Sequence, residues 1–165
     1  MKLIKYFFLF YFSIAYCVVT YSQSKKINQI CTPIRNYNIK NISMQNNQKN
    51  ILGTDLALAS KDPLTGYFRT GFCATDQNDS GMHVVAAVLT DAFLKYSLSK
   101  GNDLISPNPD SGFPGLKAGN IWCLCALRWK EAYDAGVAPK VILEATNIKA
   151  LEYIDIKFLK KMATD

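Results

Sequence analysis

The sequence predicts a single small α+β domain over residues 51–165: a mixed sheet of about three to four strands, three to four helices and long Pro/Gly loops. Two observations carry this. Short β-branched apolar runs alternate with segments of helical periodicity. Between them lie Pro-, Gly- and Asn-rich stretches that can be neither strand nor helix.

Ile51–Gly81 is turn-rich, with Asp62-Pro63-Leu64-Thr65-Gly66 and Asp76-Gln77-Asn78-Asp79-Ser80-Gly81. Such clusters supply turn geometry through side-chain hydrogen bonds and φ preference. Tyr67, Phe68 and Phe72 anchor this stretch as ordered loop. His83–Leu89 is a continuous apolar run with Val84, Val85 and Val88, as in a strand covered on both faces. Thr90 is placed to cap a helix through Lys100, with Phe93, Leu94 and Leu98 inward and Gly101 closing it. Asn102–Gly119 is a Pro/Gly loop, and Ile121–Ala126 reads as a second strand. A helix over Arg128–Ala135 sets Trp129, Ala132 and Tyr133 on one face and stops at Gly136 and Pro139. Val141–Glu144 is a third strand. Thr146 then caps a short helix, and Asp155 caps a last one that buries Phe158, Leu159 and Met162.

The residues before this domain differ in kind. Lys2 and Lys5 precede an unbroken run of apolar, aromatic and small residues, Tyr6–Val19, too short to span a bilayer comfortably and suited to a signal peptide over residues 1–22. Thr20-Tyr21-Ser22 offers small residues for cleavage before Gln23; an uncleaved anchor is the alternative, and membrane contact is expected only in that case. Gln23–Asn50 holds seven Asn, five basic residues and no acid, and should be a disordered transit-like segment or linker. A signal peptide followed by a basic, acid-poor stretch is the bipartite pattern of import into plastids bounded by extra membranes; secretion or a periplasmic location is the alternative.

Charge follows the same division. All seven basic residues up to Thr54 lie in a region without acids, leaving 12 basic against 13 acidic residues beyond it, a net of −1. The folded part therefore has no basic character that would suit nucleic acid.

Several strings resemble one family: Asp62-Pro63-Leu64-Thr65-Gly66-Tyr67-Phe68-Arg69, Gly81-Met82-His83, Gly101-Asn102-Asp103-Leu104, Phe113-Pro114-Gly115-Leu116 and Trp122-Cys123-Leu124-Cys125-Ala126-Leu127-Arg128-Trp129, followed by Ala138-Pro139 and Leu143-Glu144-Ala145-Thr146. In this order they are similar to the domain-of-unknown-function 2237 family, small proteins of bacteria and photosynthetic lineages. The resemblance implies no activity, though it makes a plastid address natural. Ala59 and Ala86 stand where relatives often carry Cys, so a site requiring all the family's thiols is not expected to be complete here.

Chemistry-bearing residues are few. Cys73, Cys123, Cys125 and the single histidine, His83, form a Cys₃His set that would suit tetrahedral zinc, although Cys-x-Cys on a strand is not the usual knuckle spacing. Buried reduced thiols are the plain alternative. Cys73 with His83 would also make a thiolate nucleophile, with Asp79 or Asp103 orienting the ring. Pairing Cys73 with Cys123 or Cys125 would give a redox pair, or a structural disulfide in an oxidising compartment. Arg69 and Arg128 offer planar forks for an anion; a structural ion pair with Asp62, Asp103 or Glu131 is the alternative. Trp122 and Trp129 read as core. No phosphate-binding loop, dinucleotide fingerprint, serine elbow or zincin motif is present.

The expected functional surface joins Asp62, Arg69, Cys73, His83, Asn102, Asp103, Cys123, Cys125 and Arg128. Its expected use is non-catalytic binding of a metal ion or small anionic ligand. A thiol enzyme using Cys73 with His83, or a structural partner-binding module, are the alternatives.

Overall fold

The computed structural model describes residues 47–165; the expected signal peptide and most of the basic segment lie outside the described residues. The elements run β1 (His83–Val88), α1 (Asp91–Ser99), β2 (Ile121–Cys125), α2 (Ala126–Asp134), β3 (Lys140–Val141) and α3 (Ile156–Lys161). Short 3₁₀ turns occupy Pro109–Ser111, Leu143–Ala145 and Ile148–Glu152. The three strands form one sheet in the order β2-β1-β3. Both ladders are antiparallel, and the parallel component is a single bridge between Val141 and Ala163. The domain is thus α+β, with its longest loops before β1 and between α1 and β2.

Local chemistry sets the element boundaries. The Thr90 hydroxyl accepts the Phe93 N–H at 3.1 Å, and the Asp155 carboxylate accepts the Lys157 N–H at 2.9 Å, each satisfying a helix-start donor without an intrahelical partner. α1 buries Phe93, Leu94 and Ser97 and leaves Leu98 46% exposed, so its inward face differs from that expected. Ser97 replaces Leu98 because its hydroxyl closes the helix end by donating to the Asn102 carbonyl. The strand expected over Val141–Glu144 is only two residues long, since the chain turns into the Leu143–Ala145 3₁₀ segment. Asn147, not Thr146, caps the next turn. The Thr146 hydroxyl is otherwise engaged, accepting the Ala86 N–H and donating to the Ile142 carbonyl.

The main core gathers Val84, Val85, Leu89, Phe93, Trp129, Val141, Ile154 and Leu159, all nearly or fully buried. The Trp129 indole N–H donates to the Pro139 carbonyl at 3.1 Å, so its one polar atom is satisfied inside the core. A second, smaller cluster holds Ala59, Cys73, Ala86, Cys123 and Ala145. Ala59 and Ala86, the two positions where the resemblance expects Cys, therefore pack in the same cluster as Cys73 and Cys123.

Order begins slightly before the boundary expected at Ile51. Asn50 is buried; its amide donates to Thr54 Oγ1 and to the Asp55 and Glu144 carbonyls, while its carbonyl oxygen accepts from Leu52 and Thr54. Gln48 bridges Thr75 and Asn147, and the Asn147 amide also reaches the Cys73 carbonyl. Among the described residues no helix is long and apolar enough to cross a membrane.

Candidate functional site

Cys73 and Cys123 are joined in a disulfide with Cα atoms 5.3 Å apart. Both are buried, at 0% and 1% exposure. This corrects the thiol readings of the sequence. Cys73 has no free sulfur to act as a nucleophile beside His83, because that sulfur is spent in a bond and sealed from solvent. The Cys73–His83–Cys123–Cys125 zinc set is likewise not assembled, since two of its sulfurs are bonded to each other. Among the described residues no group of three or more His, Cys, Asp or Glu side chains is placed to hold a metal ion. Cys125 is a free, half-buried thiol whose backbone pairs with His83.

His83 begins β1 beside an irregularity: its partner is Cys125, whereas Val85 pairs with Leu124, so two residues on β1 span one on β2. Such a bulge re-aims the neighbouring side chain. Met82, just before it, has φ 48°, the left-handed region that side-chain-bearing residues seldom adopt. The ring of His83 is then fixed by Asp79, whose side chain is fully buried. Asp79 Oδ1 accepts the His83 Nδ1–H at 2.6 Å. Asp79 Oδ2 accepts the His83 backbone N–H at 2.9 Å and the Thr75 hydroxyl at 3.0 Å. A carboxylate only accepts, so Nδ1 carries the hydrogen, and Nε2 has no hydrogen-bond partner among the described residues. Gly81 makes room for this arrangement. A Cβ there would stand 3.0 Å from both ring nitrogens and closer still to Cε1.

Arg69 approaches from the Thr65–Cys73 loop. Gly66 starts this loop at φ 92°, where a Cβ would run into the Phe72 carbonyl. Arg69 itself sits at φ 52°. Its backbone N–H and its Nη1 both donate to the Gly66 carbonyl, at 3.0 and 3.1 Å. The guanidinium lies 4.8 Å from the Trp122 ring centre, and desolvation there lowers its pKa from the ordinary value. Among the described residues no carboxylate pairs with it.

These groups line one cavity of about 750 Å³. Gly66, Tyr67, Arg69, His83, Trp122 and Cys123 form one side, and the loop from Asp103 to Phe113 forms the other. Tyr67 and His83 are nearly parallel, 13° apart with centres 6.2 Å apart, and Phe113 meets Trp122 edge-on at 5.6 Å. Asp103 is committed to its own loop: the backbone N–H groups of Ser106 and Ile105 donate to it and hold its pKa below the ordinary value, the Ser106 bond contributing most.

The structure thus brings Arg69, His83, Asp103 and the wall formed by Cys123 to one place. Asp62, Asn102 and Arg128, expected at the same surface, do not line the cavity. Asp62 is exposed and donates its N–H to the Ser60 hydroxyl. Asn102 bonds Ser97 at the end of α1. Arg128 pairs with Glu131 at 3.0 Å, the structural ion pair that was the alternative for it. Sequence reasoning missed the aromatic walls. Trp122 reads as core and is 5% exposed, yet it lines the cavity; Tyr67 beside Arg69 was the one local signal.

Fold and site together define a small, disulfide-bearing α+β domain with a polar and aromatic pocket. The chain belongs to the family described as an uncharacterized protein conserved in bacteria, DUF2237, which matches residues 49–163. No curated protein matches it.

Proposed function

We propose that the domain binds a small anionic ligand in the cavity between Arg69 and His83. The observation that carries this reading is Arg69: a partly desolvated guanidinium, without a carboxylate partner among the described residues, lining a cavity with the only imidazole of the chain. Arg69 remains exposed enough to be reached, and its planar fork, held against the Trp122 ring, matches the geometry of a carboxylate or phosphate. Two side-chain-bearing residues in the left-handed region, Arg69 and Met82, flank the site, and such conformations gather where function requires them. The test is calorimetric titration with acetate and with inorganic phosphate. Binding weakened about tenfold or more by Arg69→Gln supports the reading; binding indifferent to that change refutes it.

The buried Asp79 behind His83 favours a second reading, in which the bound anion is also a substrate. Nε2 would take a proton from it while Asp79 stabilises the ring that results. This replaces the thiol chemistry that the disulfide removes. For delivery we propose the leader route, to a plastid-type compartment or, as the alternative, to secretion. The buried disulfide supports passage through an oxidising compartment. A reporter fused to residues 1–54 that stays in the secretory lumen would rule out plastid import.

A further inference from the structure

We infer that the ligand's anionic group is carried on a planar aromatic body, so that the site takes an aryl carboxylate or aryl phosphate. The inference rests on the anion-binding reading and narrows it. A water molecule occupies about 30 Å³ of liquid, so acetate or phosphate, with only a few heavy atoms each, fills a small part of about 750 Å³. Cavities of this magnitude enclose organic molecules. An ion alone would leave most of the site to water.

Trp122, Phe113 and Tyr67 are supplied from three separate segments, and Pro107 and Pro109 face the same space. Tyr67 remains 40% exposed. Its ring runs nearly parallel to that of His83, and its exposed side offers a flat surface on which a further ring can lie. Aromatic rings favour such offset contact.

Arg69 is the lining cation without a carboxylate partner among the described residues, whereas His83 is bonded to Asp79 and Asp103 is fixed in its own loop. That balance suits a single anionic group at the Arg69 end and opposes a polyanion. Asp103 does not neutralise Arg69, because it is held by the amides of Ile105 and Ser106.

The experiment uses the oxidised protein and five probes in calorimetry: benzoate against acetate, phenyl phosphate against inorganic phosphate, and benzyl alcohol as the ring without charge. Each aryl anion should bind about tenfold tighter than its small counterpart or better, since a buried ring removes substantial apolar area from water. The benzoate and phenyl phosphate arms then tell which head group is preferred. Tyr67→Ser, at an exposed position, should erase most of the aryl gain, bringing the ratio of aryl to small-anion affinity towards one. Equal affinity for aryl and small anions overturns the inference and leaves the anion reading standing, as does a Tyr67→Ser protein that retains the full gain. Benzyl alcohol binding as tightly as benzoate, or no binding by any probe, overturns both.

Discussion

Removing the Cys73–Cys123 link is the perturbation whose size follows most directly from the structure. The two residues are 50 apart in sequence. Closing a loop of that length restricts the unfolded chain by about 14 cal/mol/K, which is about 4 kcal/mol at room temperature. Unfolding entropy of about 2.1 cal/mol/K per residue, summed over the 119 residues described, converts this to a fall in Tm of about 15 °C. Both sulfurs are buried among small side chains, with Ala59, Ala86 and Ala145 around them, so there is little room for the chain to relax into the space left by truncation. The Cys73→Ala, Cys123→Ala double variant should therefore lose at least this much. Thermal melts of the wild type with and without reductant, beside the double variant, measure it, and peptide mapping by mass spectrometry locates the bond. A melting point within about 3 °C of the oxidised protein, or alkylation of Cys73 in the native state, would refute the structural reading of these cysteines.

Three further outcomes are expected. Gly81→Ala should push the His83 ring off Asp79, leaving a buried carboxylate one donor short at a cost of about 1–3 kcal/mol; unchanged ring resonances in NMR would contradict this. Asn50→Ala should cost about 3 kcal/mol in denaturant unfolding, because the buried side chain satisfies five backbone and side-chain partners; a loss below about 1 kcal/mol would count against that role. The Asp103 carboxylate should titrate below its ordinary 3.8. A folded-state pKa lowered in this way contributes stability above the unfolded value and loses it as pH falls through the folded one. Protection of the Ile105 and Ser106 amides from exchange should then hold at neutral pH and fall only in strong acid. A carboxylate midpoint at or above 3.8 would contradict the hydrogen bonds assigned to it.

What the sequence made legible was local. Thr90 and Asp155 could be read as caps because a cap depends on a side chain and amides two or three residues away. β1 and β2 could be read from their apolar runs. Thr146 was misplaced because its hydroxyl answers to Ala86, 60 residues off, which no local pattern records. Leu98 was assigned inward on periodicity alone, and Ser97 displaced it through a bond to the following loop. At the site, Arg69 and His83 stood out by rarity, and Asp79 was one of two carboxylates in reach of the ring. The pairing of Cys73 stayed open between Cys123 and Cys125, because the choice depends on strand β2 facing the Thr65–Cys73 loop. The pocket's aromatic walls were hidden for a similar reason: Trp122 serves core and cavity at once, and the loop from Asp103 to Phe113 that faces it is distant in sequence from Tyr67 and Arg69.

The central claim is that Arg69 and His83 hold one anion between them, and an NMR titration of the oxidised protein with benzoate tests it directly. The chain has a single histidine, so its ring signals need no assignment by mutation. The account predicts saturable shifts at the His83 ring, the Arg69 guanidinium, Tyr67 and the Asp103–Phe113 loop, absent in Arg69→Gln. Shifts that appear elsewhere, or that persist without the arginine, would contradict it.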